Sequence, residues 1–459
     1  MLEQRKNLKG LKSFQFIKEC MVIAVIYFGD GFAFAFCYNI VKKKIENPLL
    51  VDITYAMFYT LGLFLVGHFI EKGRRLTLII SDCFCLLVLL LLVISNDTVD
   101  FIIYFLVAFI NGIWMPAVFI YAKDLSVIQQ PAFVVLFCQA MNYTGVLLAN
   151  IAQILLDNSS LDRELLSRIL FGAGLGLPCI IQLMAFFIFI KKEPVRYLYA
   201  TYEIEDSCKG LREMFDDTET VEKVINLFLT SSSNRKIIGT GYTSLFKKFY
   251  RKALLTCLGL FLFKATSYIL SYKKRIPDLY DNTYMLLNQC MKIILTIGLI
   301  FVVNKVQHKT LLYIGYLTTL IGNNIISILV IFYIFYTDII GLPLMLAIFS
   351  VEFVWCFFLT NMPYIYALEL LPDKGISFMI MIYGLTTNIF GLTINNRITT
   401  TNPIRWLYYP IAALISLGAL VFIHKVVKYT EEINEEDTKR AYFNYSAEDL
   451  SLSAIVTNE

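Results

Sequence analysis

Long apolar runs alternate with short charged loops along the whole chain. Twelve of these runs approach the ~20 residues that cross a hydrocarbon layer as helix. They fall near 18–38, 52–70, 76–95, 99–121, 132–155, 166–190, 252–272, 283–303, 310–333, 340–366, 376–394 and 405–427. The loop Gly67–Arg75, GHFIEKGRR, packs both charge signs and a glycine between two such runs. A loop of that kind cannot lie in hydrocarbon, so it marks a membrane surface. It has a faint echo at Asn304–Lys309, NKVQHK, again between two apolar runs. The pattern predicts an all-α membrane protein of twelve transmembrane helices in two six-helix halves. The halves are expected at 1–190 and 253–428, with a linker at 191–252 and a disordered, acidic then Ser-rich tail at 429–459. Transporters built as parallel repeats hold their substrate between the halves near the midplane.

The linker is not uniformly polar. Ile204, Cys208, Leu211 and Phe215 share one helical face, and Val221, Val224, Ile225 and Phe228 share another. Both sets predict short amphipathic helices across one membrane face, whereas Ser231–Thr243 reads as plain linker. Lysine and arginine assign that face. Arg5, Lys6, Lys9, Lys12 and Lys18, then Lys72, Arg74 and Arg75, then Lys191, Lys192 and Arg196, all fall on one side. Both termini are therefore expected in the cytoplasm, although Lys42–Lys44 and Lys273–Arg275 lie on the other side. Two glycosylation tripeptides, at Asn96 and Asn158, fall in predicted outside loops.

Composition narrows the chemistry. The chain is 58% hydrophobic and 17% charged, more apolar than a water-soluble surface can cover, so the lipid bilayer is its partner. A net charge of +4, spread over loops, does not indicate nucleic acid. Nine of the cysteines lie in or beside apolar runs and read as packing residues, with Cys208 in the linker. The three histidines are scattered, and no metal spacing, phosphate loop or nucleophile–base set is present, so neither cofactor nor enzyme activity is expected. Ala33-Phe34-Ala35 resembles a signal-cleavage site, but Asp30 inside the run argues for a retained first span.

Polar groups within spans are costly unless they meet a partner or a water-filled path. Asp30, Asn111, Lys264 and Glu352 fall in spans one, four, seven and ten, equivalent places in a six-plus-six chain. Lys292, and Gln139 with Asn142 spaced i, i+3, complete a polar lining drawn from both halves. Spans three, six and twelve are nearly plain apolar and should face lipid. Asn323 and Asn324 read as helix-packing residues, and Asp82 as an anchor near the headgroups.

The chain resembles the sugar porter branch of the major facilitator superfamily. GHFIEKGRR keeps Gly67, Glu71 and Gly73-Arg74-Arg75 of that family's G-x-x-x-D-R-x-G-R-R, one residue short. Tyr121 and Asp124 match its P-x-Y-x-x-E after span four. Lys192-Glu193-Pro194-Val195-Arg196-Tyr197-Leu198 is similar to its P-E-S-P-R-W-L, and Asn361–Pro372 to its P-x-P-W-x-Y-x-x-E-x-x-P. Tyr104 stands where the family has an arginine.

The resemblance implies a membrane transporter moving a hexose-like sugar or related small solute by alternating access, with the plasma membrane as the default location. It carries sugar-binding positions onto Gln139, Tyr364 and Asn388, and onto Lys264 and Lys292 where the family has amides. Asn142 joins them as a substrate-binding candidate. Lysine only donates and carries a full charge, so an organic or phosphate anion carrier using Lys264 and Lys292 is the alternative within the fold. A non-transporting nutrient sensor is a second one. Asp30 and Glu352 are candidate counter-charges for the lysines. Asp30 is also a candidate proton carrier, since a span carboxyl changes protonation with its surroundings. Glu71, Arg74, Arg75, Asp124, Arg196 and Glu369 are expected to form a cytoplasmic gate.

Overall fold

The structure, a computed structural model, describes residues 13–44, 48–94, 96–125, 131–159, 162–201, 204–214, 221–222, 242–271, 282–303, 305–398 and 408–427. Among these residues every regular element is helical. Six long helices come first: α1 (Ser13–Lys44), α2 (Pro48–Phe69), α3 (Arg74–Leu90), α4 (Asp97–Leu125), α5 (Pro131–Asn158) and α6 (Arg163–Ile188). Two short ones follow in the linker, α7 (Val195–Ala200) and α8 (Ile204–Met214), then a 3₁₀ turn at Tyr242–Phe246. The second half comprises α9 (Lys248–Ser271), α10 (Asn282–Val303), α11 (His308–Phe335), α12 (Thr337–Val354), α13 (Met362–Leu370), α14 (Asp373–Ile398) and α15 (Tyr408–Lys425). Nine helical stretches among the described residues are long and apolar enough to cross a membrane. Helices α9 and α14 run 24 and 26 residues, and α15 is a shorter apolar helix.

The predicted tenth span is split. Pro363 sits in the first turn of α13 and has no N–H to offer the carbonyl one turn back. The chain widens there into a π turn over Trp355–Leu359, and Thr360 N bonds to Trp355 O at 3.1 Å. Helices α12 and α13 together form one interrupted span.

The packing repeats. In the first half α1 lies against α4, α5 and α6; α2 against α4; α3 against α4 and α6. In the second half α9 lies against α13, α14 and α15; α10 against α12; α11 against α12 and α15. These contacts of the first half thus have their counterparts six spans later. The halves meet most extensively where α2 packs on α14 and α5 on α10, pairings that exchange under the same relation, while α4 also touches α13 and α14 and α5 touches α13. The repeat that the faded loop suggested is carried by the whole bundle.

Glycine decides how closely the first half packs. A Cβ on Gly31 would lie 2.1 Å from Asn142 O, and one on Gly145 2.1 Å from Phe28 O, so α1 and α5 touch backbone to backbone. Gly62 and Gly112 do the same for α2 and α4, each 2.2 Å from an opposing carbonyl oxygen.

Large apolar side chains are exposed along α3, α6 and α15, as expected of lipid-facing helices. Helix α11 joins them through Ile314, Leu317, Ile321, Ile325 and Ile328. Its Asn323 is buried, and exposed Asn324 donates to Leu320 O at 2.9 Å, which satisfies it without water. Asp82 corrects its expectation. It is fully buried between α3 and α4 and accepts a 3.2 Å bond from Trp114 Nε1.

Within the linker, Ser207 and Leu211 of α8 are buried and Cys208 is half-buried, while Ser207 Oγ donates to Val195 O and ties α8 to α7. Lys192 pairs with Asp206 at 2.9 Å, which holds that exposed carboxyl below its ordinary range. Phe215, Val224, Ile225, Phe228 and the tail lie outside the described residues.

Candidate functional site

The face carrying Gly67–Arg75 and the linker holds a charged cluster where the halves meet. Its geometry starts at Gly73, whose φ of +155° favours glycine. That turn exposes the first N–H groups of α3, and Glu193 accepts from Arg74 N, Arg75 N and Leu76 N at 2.8, 2.9 and 3.2 Å. A carboxylate on three free amides at a helix N-terminus is a favoured arrangement. It fixes Arg74, which is almost wholly buried.

Arg74 Nε donates to Asp124 Oδ2 at 2.8 Å, Nη1 to Ile70 O at 2.5 Å, and Nη2 to Asp373 Oδ2. Its guanidinium also lies 4.5 Å over the Tyr197 ring. Asp373 opens α14, so the Arg74 contact crosses between halves. Lys123 reinforces it, 3.6 Å from Asp373 Oδ1 and donating to Leu371 O at 2.8 Å. Lys374 pairs with Glu71 at 2.8 Å.

The predicted gate residues therefore divide. Glu71 and Arg74 reach across to the other half. Asp124 stays within its own half with Arg74 and, at 4.0 Å, Arg196. Arg75 turns to Phe186 O at 3.0 Å. Glu369 meets His308 at 3.6 Å, inside the second half. Lys123, Asp373 and Lys374 were not anticipated. The sequence signal for the last two was Asp373-Lys374-Gly375 opening span eleven, a near copy of Glu71-Lys72-Gly73.

The linker adds a further tie. Tyr242 stacks on Phe64 and donates to Phe64 O at 3.0 Å, using the space Gly67 leaves. Lys374 lies 5.7 Å over the same ring, and Phe246 meets Phe378 of α14. Burial and the nearby Glu71 push the Tyr242 phenol up to about 12, so it remains a donor.

About 10 Å further in, at 1.5 Å of helix rise per residue, the halves meet through aromatic rings. Tyr364 packs on Phe119 at 4.9 Å, on Phe261 at 5.2 Å and on Tyr383 at 6.2 Å, and Tyr27 reaches Phe119 at 5.4 Å. Lys264 lies inside this cluster, only 1% exposed, with Nζ 3.8 Å from the Tyr364 centroid and 4.3 Å from that of Tyr383. Gln139 accepts from the Tyr27 hydroxyl at 3.5 Å, and Tyr143 hydrogen-bonds both Gln139 and Thr360 of the span-ten break. The structure thus joins Gln139, Lys264 and Tyr364 through shared aromatic neighbours.

The remaining candidates lie apart from that group. Asn142 Nδ2 donates to Asp30 Oδ2 at 2.9 Å and to Tyr27 O at 3.1 Å, a pairing set by the Gly31–Gly145 crossing. Asn288 Nδ2 donates to Glu352 Oε2 at 2.7 Å. Lys292 lies one turn beyond Asn288 on the same face of α10. Asp30 Oδ2 is thus held by the Asn142 amide. The side chain of Asn388 lies outside the described residues. Asn111 and Asn361 are buried with no partner for either amide atom among the described residues. No cluster of metal-ligating side chains occurs among them.

The sequence matches the family described as "Sugar (and other) transporter" over residues 9–442. No curated protein matches it significantly. Among solved structures it resembles XylE, a proton:xylose symporter, bound to 6-bromo-6-deoxy-D-glucose, at 16% identity and TM-score 0.74, covering 94% of this chain and 99% of that one. A double-tryptophan mutant of XylE gives 0.76 with the same identity and coverage. The inward-open form of XylE from E. coli gives 0.64, at 16% identity over 93% and 99% of the two chains. The chain belongs to the sugar (and other) transporter family. It is a multi-pass membrane transporter with the major facilitator fold, working by alternating access.

Proposed function

We propose that the chain carries a sugar, hexose-like in size, or a related small hydroxylated solute, between a site at the aromatic cluster and either membrane face. The observation that carries this reading is the charged cluster on the linker face. Arg74 and Lys123 of one half share Asp373 of the other, directly beneath rings contributed by both halves. Breaking those ties opens the linker side, and forming them closes it, which is the motion alternating access needs. The positive-inside count supports placing that face and both termini in the cytoplasm, with the plasma membrane as the membrane. The division at 1–190, 191–252, 253–428 and 429–459 follows from the same reading.

Gln139, Tyr364 and Lys264 form the centre of the site, with Asn142 and Lys292 towards its edge, and Asn388 is assigned to it by the family resemblance alone. Asp30 is the proton carrier if transport is coupled. Its described partner is a neutral amide, so protonation breaks no ion pair. Uptake of a sugar panel into proteoliposomes, with and without an inward proton gradient, tests this. Saturable uptake that Asp373→Ala reduces at least tenfold is expected. Uptake of no sugar under either condition refutes it.

A further inference from the structure

Within the proposed site Lys264 stands out, because a sugar hydroxyl brings no charge to meet its own. Its ammonium is fully buried and faces two phenol rings. No carboxylate lies within ion-pair distance of it among the described residues. Asp30 is occupied by the Asn142 amide, and Glu352 by the Asn288 amide. Lys292 differs, since it lies one turn along α10 from Asn288, the residue that holds Glu352. The rings supply some stabilisation to a desolvated cation, but a buried ammonium is better served by a hydrogen-bonded carboxylate. A neutral hydroxyl entering the site accepts one hydrogen bond and brings no charge.

We propose that the carried solute is a sugar bearing one carboxylate, and that Lys264 recognises that carboxylate. The proposal rests on the sugar-transport reading above. Lys264 lies on the face of Tyr364. An arriving carboxylate draws Nζ off the rings, and the Tyr364 and Tyr383 faces are freed for the C–H face of the sugar. A neutral sugar would displace the ammonium from the rings without replacing its charge. One unpaired cation calls for one anionic charge, which favours a carboxylate over a phosphate dianion.

The test is uptake into proteoliposomes of radiolabelled glucose, glucuronate and glucose 6-phosphate by wild type, Lys264→Gln and Lys264→Arg. Wild type is expected to carry glucuronate at least tenfold faster than glucose or glucose 6-phosphate. Lys264→Gln loses that preference and takes up glucose, whereas Lys264→Arg keeps it. Glucuronate binding, read by intrinsic tryptophan fluorescence in detergent, separates lost recognition from lost folding. Glucose carried as fast as glucuronate by wild type overturns the proposal while leaving sugar transport standing. A preference for glucose 6-phosphate overturns the single charge. Failure of all three substrates with wild type overturns the transport reading and the proposal with it.

Discussion

The two halves repeat one packing plan but secure it with different chemistry. In the first half the base at the start of α3 is Arg74, 2.8 Å from Asp124 at the end of α4. In the second half the base at the start of α11 is His308, 3.6 Å from Glu369 at the end of α13. Both acids close the same tetrapeptide pattern, Tyr121-Ala122-Lys123-Asp124 and Tyr366-Ala367-Leu368-Glu369. Arginine is always charged and forks to several acceptors; histidine offers one donor per ring nitrogen. The fork lets Arg74 hold its own half together and still reach Asp373 in the other. On the proposed reading the first half is the anchor of the linker-side closure, and the second half supplies its acid.

The comparison extends to helix crossings. Gly31 and Gly62 meet opposing carbonyls of the backbone, which cannot yield. In the second half Gly259 meets the Phe422 ring and Gly322 a Val351 methyl, which can turn aside. The first half is built as the stiffer unit.

The largest expected effect follows from the shared acid. Asp373→Ala leaves Arg74 and Lys123 facing each other without it. Breaking a largely buried pair costs about 3 kcal/mol, roughly a hundredfold in the closed population. Reaction of a thiol-specific reagent with a cysteine placed near Phe119 should rise accordingly from the linker side. An unchanged rate would remove Asp373 from the closure.

Next, Gly31→Ala should abolish folded protein, while Gly259→Ala should cost about 1–2 kcal/mol by ring displacement. Thermal unfolding in detergent compares them, and equal losses would end the stiff–soft distinction. Gly73→Ala falls between, at about 2 kcal/mol, because it strains a positive φ and crowds Glu193, 2.8 Å from the new Cβ.

The smallest effect separates the paired acids. Asp124→Asn removes the partner of a buried arginine, whereas Glu369→Gln removes a longer contact from a carboxylate 20% exposed. The first should lower the unfolding temperature several degrees more than the second, and the reverse order would invert the assignment of the anchoring half.

Much of this was legible in the sequence because hydrocarbon imposes strict rules. Span length, the loop glycine and the order of the motifs located the bundle, its repeat and the residues Arg74, Gln139 and Tyr364. The cross-half partners were less legible. Asp373 and Lys374 look like ordinary headgroup charges until α14 is brought against α2. Asp82 misled for the opposite reason, since its place early in span three resembles an anchor, and only its approach to Trp114 accounts for its burial. The break in span ten was not anticipated: Pro363 is its signal, but the resulting π turn depends on which carbonyl the missing N–H leaves free. Lysines 264 and 292 read alike in sequence. Their difference arises from their surroundings: the Tyr364 and Tyr383 rings for one, a place one turn from Asn288, which holds Glu352, for the other.

The account stands or falls on alternation about the closure between Arg74 and Asp373. Counterflow measures it most directly, with labelled solute outside proteoliposomes preloaded with the same unlabelled solute. The account predicts a transient overshoot with wild type that is lost in Asp373→Ala. Uptake that is non-saturable and indifferent to preloading, in wild type as in the variant, would contradict it.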